Sequence, residues 1–173
     1  MEPILATTGV VVVEAPLGFG KSCLAAELLA TPSSFDASSL APDAIDDAWR
    51  RAGCPATVVW DDACIGLNDD FEFLHRDEGR SVLLARAPLE LARQPTLALR
   101  GGDLLFDQTE TEQLAAARAV DAPELLAHLV VSRTGGWPAH AAAALMALDS
   151  QSVPPERYAN FLDSQTARHP LAD

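Results

Sequence analysis

The sequence predicts an α/β protein in which a parallel sheet is followed by a small helical lobe. Three observations carry that reading. Val10-Val11-Val12-Val13 is an unbroken β-branched run, the pattern of a strand covered on both faces in a parallel sheet. A glycine-bearing turn from Ala15 to Gly20 leads from it into a segment with Leu24, Leu28 and Leu29 at helical spacing. After Gly101-Gly102 the strand patterns give way to helical runs of leucine and alanine. Residues 1–102 are therefore read as the sheet-bearing core and residues 103–173 as the helical lobe with a C-terminal tail.

Taken in order, the first helix is expected from Lys21 to Ala30, stopped by Thr31-Pro32-Ser33-Ser34. Residues 31–56 read as a connector with a short helix from Asp43 to Arg51 and no strand. Thr57-Val58-Val59-Trp60 is the second strand, ended by Asp61 and Asp62, and Ser81 to Ala85 is the third, ended by Arg86 and Pro88. A short fourth strand is expected at Thr96 to Arg100. Thr109 and Glu112 have capping-box spacing, as do Asp121 and Glu124, and each pair precedes a helical run. A third helix of the lobe should begin at Trp137-Pro138 and reach Leu148, with one more short helix near Tyr158 to Leu162.

Charge and composition exclude several classes of function. The chain has 25 acidic and 12 basic residues, a net charge of -13. A field of that sign repels nucleic-acid backbones and anionic lipids, so neither direct DNA binding nor membrane attachment is expected. The apolar runs near Val10 and Ala141 are far shorter than a bilayer crossing requires. Met1-Glu2-Pro3 lacks the basic segment of a secretory signal, which points to the cytoplasm. Cys23, Cys54 and Cys64 form no C-x-x-C and are expected as buried, reduced thiols. His75, His128, His140 and His169 lack metal-ligand spacing.

The segment that carries chemistry is Ala15-Pro16-Leu17-Gly18-Phe19-Gly20-Lys21-Ser22, which matches G-x-x-x-x-G-K-[ST] except that Ala15 replaces the first glycine. Gly18 and Gly20 let backbone N–H groups curl around an anion, and the helix that follows directs its positive end at it. Pro16, Leu17, Gly18, Phe19, Gly20, Lys21, Ser22 and Cys23 thus form the candidate phosphate cradle, with Lys21 on the outer phosphates and Ser22 offering its hydroxyl to Mg²⁺. Lys21 is the only lysine in a chain that uses arginine for every other side-chain cation apart from histidine. That usage keeps a compact, flexible point charge at the one place where phosphate calls for it.

Asp61 and Asp62 end an apolar strand, where a carboxylate can hold Mg²⁺ through water or orient an attacking water. Acidic pairs also begin ordinary solvated loops; the upstream loop makes Asp61 the metal candidate and Asp62 the candidate base. Arg86 stands at a strand end, in reach of a γ-phosphate or simply on the surface, and position alone leaves both open. Gly135-Gly136-Trp137-Pro138 reads as a turn into a helix, with proline in the first turn.

With these motifs in this order, together with Leu97-Ala98-Leu99-Arg100 and Asp103-Leu104-Leu105-Phe106, residues 9–149 resemble the nucleotide-binding module of signal-transducing P-loop ATPases. The resemblance is greatest to the maltose-regulon-activator group of large LuxR-type transcriptional regulators, whose loops read A-P-x-G-x-G-K-[ST]. It implies a P-loop sheet with the arginine-bearing strand between the loop strand and the Asp61 strand. It implies that Arg86 senses the γ-phosphate and that Pro138 packs on the nucleotide base. Against the family pattern the connector between Ser22 and Asp61 is short, which implies a reduced sheet, and Ala63-Cys64 stands where an aromatic-His pair often follows the acids. The family's sensor array and helix-turn-helix have no counterpart in residues 1–173.

The function expected is an ATP/ADP switch with slow Mg²⁺-dependent hydrolysis, working on a protein partner or by self-association. The competing reading is a non-hydrolysing scaffold that pairs with related ATPases, favoured by the short connector. A small-molecule kinase ranks last, since residues 31–56 offer only Arg50 and Arg51 for a substrate lid.

Overall fold

The valine run is β1 (Gly9–Glu14), and Val11, Val12 and Val13 are at most 2% exposed. A computed structural model describes residues 9–29, 33–37, 40, 44–63, 79–89, 91, 94–151 and 153–168, in two units, Met1–Asp103 and Leu104–Asp173. In the first unit β1 is joined by β2 (Ser33–Asp36), β3 (Thr57–Ala63), β4 (Arg80–Ala85) and β5 (Leu97–Arg100). All pairings are parallel and the order is β2-β3-β4-β1-β5, a P-loop-like arrangement in which β4 lies between β1 and β3. Register runs from Gly9 opposite Arg80 to Glu14 opposite Ala85 on one side of β1, and from Val11 opposite Leu97 to Glu14 opposite Arg100 on the other.

Why a continuous apolar run suits this sheet is visible in its two faces. Val12, Val58, Trp60 and Leu83 pack with Ile45 and Trp49 of α2 (Ile45–Arg51). Val11, Val13, Val82 and Leu84 face Leu24, Ala25 and Leu29, at and just beyond α1 (Lys21–Leu28), around an apolar cavity of about 20 Å³. Strand side chains alternate, so a strand covered on both sides needs apolar residues at every position. In α2, Asp46 and Asp47 occupy the first turn and Arg50 and Arg51 the last, matching the sign of each helix end.

The connector departs from expectation. It contains a strand, β2, besides the expected helix, which starts at Ile45 rather than Asp43. β2 is an edge strand with alternating exposure whose Phe35 stacks on Trp60 at 4.8 Å between ring centroids. An edge strand buries only part of its surface, so Ser33-Ser34-Phe35-Asp36 carries almost no apolar pattern to reveal it. The sheet is therefore not reduced by a strand.

The second unit holds α3 (Gln108–Ala117), α4 (Pro123–Thr134), α5 (Pro138–Gln151) and α6 (Tyr158–Arg168), around Ala115, Leu126, Val130, Leu145, Tyr158 and Leu162. Its first helix is capped by Asp107, two residues before the expected cap Thr109. Asp107 accepts from the Glu110 N–H at 2.7 Å, and Glu110 Oε2 accepts from the Asp107 N–H at 3.1 Å. D-x-x-E and T-x-x-E both occur here; the former is used, and the hydroxyl of the fully buried Thr111 donates to the Asp107 carbonyl at 2.8 Å. The Asp121–Glu124 box does not form: α4 is entered through left-handed Ala122 with Pro123 in its first turn and no side-chain cap. The Asp121 carbonyl instead accepts from the Tyr158 hydroxyl at 2.8 Å. No helix among the described residues is long and apolar enough to cross a membrane.

Candidate functional site

The carboxyl ends of β1, β3 and β4 meet the start of α1, the position where parallel sheets gather ligands. The loop between β1 and α1 is set by its glycines: Gly18 has φ 81 and Gly20 has φ 74, backbone that other residues rarely adopt. Gly20 is the N-cap of α1 and supplies no side-chain acceptor, so the first-turn N–H groups of Lys21, Ser22 and Cys23 are left for a ligand by the geometry of a helix start. Phe19 lies beside Gly101, where an added Cβ would stand 3.4 Å from its ring.

Lys21 folds back along the loop. Its Nζ donates to the carbonyls of Ala15 at 2.7 Å and Pro16 at 2.9 Å, with the residue 8% exposed. An ammonium has three donors, so these bonds leave one N–H for a phosphate oxygen. Desolvation pushes the Lys21 pKa below its ordinary 10.5; Asp61 pulls it upward, Arg86 pushes it further down, and Asp62 pulls it upward more weakly.

Asp61 and Asp62 sit in a β-bulge. Trp60 pairs with Leu83 and Ala63 with Ala85, so two residues of β3 oppose Leu84 alone. Asp62 takes a left-handed conformation, φ 55, which re-aims its side chain from the direction a regular strand imposes. Both carboxylates thereby line one cleft. Asp61 Oδ2 accepts from Ser22 Oγ at 2.8 Å and its Oδ1 from the Asp62 N–H at 2.8 Å. Asp62 forms a two-pronged pair with Arg86, in which Nη2 donates to Oδ2 at 2.7 Å and Nε faces Oδ1.

The cleft has a volume of about 510 Å³ and is lined by Leu17, Gly18, Gly20, Lys21, Ser22, Cys23, Asp61, Asp62 and Arg86, within the range of small-molecule sites. It also takes in Asp36, which the sequence reading missed because it found no β2. Asp36 ends that strand opposite Asp61. Three carboxylates thus face two cations, and a polyphosphate entering this field needs a divalent cation to offset the acids. Ser22 Oγ and Asp61 Oδ2 are hard oxygens suited to Mg²⁺, which takes one or two protein ligands and completes its shell with phosphate and water. Among the described residues no cluster of three or more His, Cys, Asp or Glu is placed to hold a metal ion.

Of the remaining expected site residues, Pro16 contributes its carbonyl to Lys21. Pro138 is the buried first residue of α5 in the second unit. Cys23 and Cys54 are exposed free thiols, not the buried ones expected. Cys23 follows the cradle at the head of α1, and Cys54 lies in a loop at left-handed φ 51. Cys64, His75 and His169 lie outside the described residues.

Fold and cleft define the class: an α/β domain with a five-strand parallel sheet of P-loop-like order, followed by helices. Compared with protein-family models the chain matches none, and it matches no curated protein.

Proposed function

We propose that this protein is an ATP- and ADP-binding switch with slow Mg²⁺-dependent ATP hydrolysis, akin to the nucleotide-binding modules of signal-transducing P-loop ATPases and of the LuxR-type regulators related to the maltose-regulon activator. One observation carries the reading: Lys21, Ser22, Asp61, Asp62 and Arg86, dispersed over 66 positions of sequence numbering from 21 to 86, line a single cleft beside an uncapped helix start. Each has a role in phosphoryl chemistry: Lys21 on the outer phosphates, Ser22 and Asp61 for Mg²⁺, Asp62 for the attacking water and Arg86 for the γ-phosphate. Hydrolysis adds water to the γ-phosphorus and breaks its bond to the bridging oxygen, giving ADP and inorganic phosphate, with the water's proton passing to a cleft carboxylate. The scaffold reading loses the feature that favoured it, because β2 occupies the connector. The output passes to a protein partner or a second copy, not directly to DNA, since the net charge is -13.

Calorimetric titration with ATP and ADP, with and without Mg²⁺, tests this. Binding is expected to depend on Mg²⁺, and Lys21→Ala is expected to weaken it by ~1.5–3 kcal/mol, the worth of a charge-assisted contact, or roughly 10- to 150-fold. Arg50→Ala, on the exposed face of α2 and paired only weakly with Asp47 at 3.2 Å, is the control. Absence of both heat and a thermal shift at millimolar nucleotide would refute the reading.

A further inference from the structure

The two groups assigned to the γ-phosphate hold each other in this structure. Arg86 presents Nε and Nη2, one edge of its planar fork, to both oxygens of Asp62. That edge is also the one that grips phosphate two-pronged. A guanidinium so engaged is not directed at a phosphate, and a carboxylate so engaged is a poor acceptor for a proton from water. The positions are built, not incidental: the bulge in β3 and the left-handed backbone of Asp62, one of four non-glycine residues at positive φ among those described, bring its carboxylate to the end of β4. Uncommon backbone of this kind gathers at functional sites.

The pair is also open to exchange. The Arg86 side chain is 56% exposed and that of Asp62 25%, so water screens their attraction. The rest of the cradle is held without it, since Lys21 rests on loop carbonyls and Ser22 on Asp61.

We infer that Asp62 is the resident competitor for Arg86, and that the pair discriminates nucleoside triphosphates from diphosphates. A γ-phosphate takes Arg86 from Asp62; a diphosphate ends one group short and leaves the pair closed. The exchange frees the Asp62 oxygens only when a triphosphate is bound, so the carboxylate suited to orient water becomes available together with the group it acts on. Asp62 is in this sense a specificity residue acting through Arg86. The inference rests on the nucleotide-binding reading above.

The test is a double-mutant cycle on the full chain, titrated in Mg²⁺ with ADP and with a non-hydrolysable ATP analogue. Asparagine tolerates left-handed backbone, so Asp62→Asn keeps the bulge; Asp62→Gly, which also fits that φ, replaces it if a cooperative melt is lost. Asp62→Asn is expected to raise the preference for the triphosphate analogue over ADP by about fivefold, the scale of one solvent-open ion pair. Arg86→Ala should abolish the preference, and Asp62→Asn should then have no effect on the ratio. A preference unchanged by Asp62→Asn overturns the inference. So does an equal rise in the Arg86→Ala background, because a long-range charge effect survives loss of Arg86 and competition does not. If the unmodified chain binds neither nucleotide, the nucleotide reading itself fails; if it binds both and the cycle shows no coupling, only the competition does.

Discussion

Replacing Gly136 by alanine separates two reasons for a glycine. Gly136 has φ 79, and an added Cβ there runs into the carbonyl of Phe106, with the Phe106 C and N atoms at 3.3 Å. The same two residues are tied by a hydrogen bond from the Phe106 N–H to the Gly136 carbonyl at 2.8 Å. Left-handed backbone costs a non-glycine residue about 1–2 kcal/mol, overpacking about 1–3 kcal/mol, and a weakened hydrogen bond about 1 kcal/mol. One backbone displacement relieves the clash and stretches the bond, so these costs overlap and the expected loss is about 3 kcal/mol. Gly135 is the internal control: its φ is 62, yet nothing lies within 4 Å of an added Cβ. Gly135→Ala should therefore lose only the conformational ~1–2 kcal/mol. Urea unfolding followed by far-UV circular dichroism compares the two, and equal losses would show that close approach to Phe106 plays no part.

Two further outcomes concern alkaline stability. Burial outweighs the pull of Asp61 and holds the Lys21 pKa below 10.5; between that lowered value and 10.5 the unfolded chain binds more protons, so stability climbs with pH, while below it the cost of burying the charge is present in full. Lys21→Met should therefore raise the urea midpoint at pH 7, remove the alkaline climb and weaken nucleotide binding to the same extent as Lys21→Ala; a lower midpoint at pH 7 would show that the two carbonyl bonds outweigh desolvation. Tyr158 runs the opposite way: burial first, then Asp121 and Glu156, raise its pKa above 10.0, so its contribution is complete below 10.0 and is lost as pH rises through the raised value. Tyr158→Phe should cost about 1 kcal/mol at neutral pH through the lost bond to Asp121 and flatten that alkaline loss, read from denaturation at pH 7 and pH 10.5.

Local structure is most legible in the sequence where one short segment contains its own physical cause. β1 and the phosphate-type loop are contiguous, so a valine run, two glycines and Lys21 announce a strand, a turn and a helix start without any distant partner. β3 and β4 are legible for the same reason, each containing an unbroken apolar run, Val58-Val59-Trp60 and Val82-Leu83-Leu84-Ala85. β2 is not, because only Phe35 shows its apolar face and the strand exists by pairing with β3. Asp36 disappeared from the candidate site with it.

What the chain alone determines here is the kind of groups available: a helix start without a side-chain cap, a single lysine beside a serine, two adjacent carboxylates and an arginine at strand ends. Their joint use is a matter of tertiary structure. Inserting β4 between β1 and β3 brings Arg86 to Asp62 across 24 positions and Ser22 to Asp61 across 39. The bulge, with Asp62 at φ 55, turns toward one cleft two neighbours that a regular strand sends to opposite faces. Even the choice between Asp107 and Thr109 as a cap is not settled by spacing, since both have the right residue three places on. The physical reason is common to all three: spacing along a chain encodes interactions a few residues long, while pairing register and burial are settled by elements that meet only once the sheet or helical core has formed.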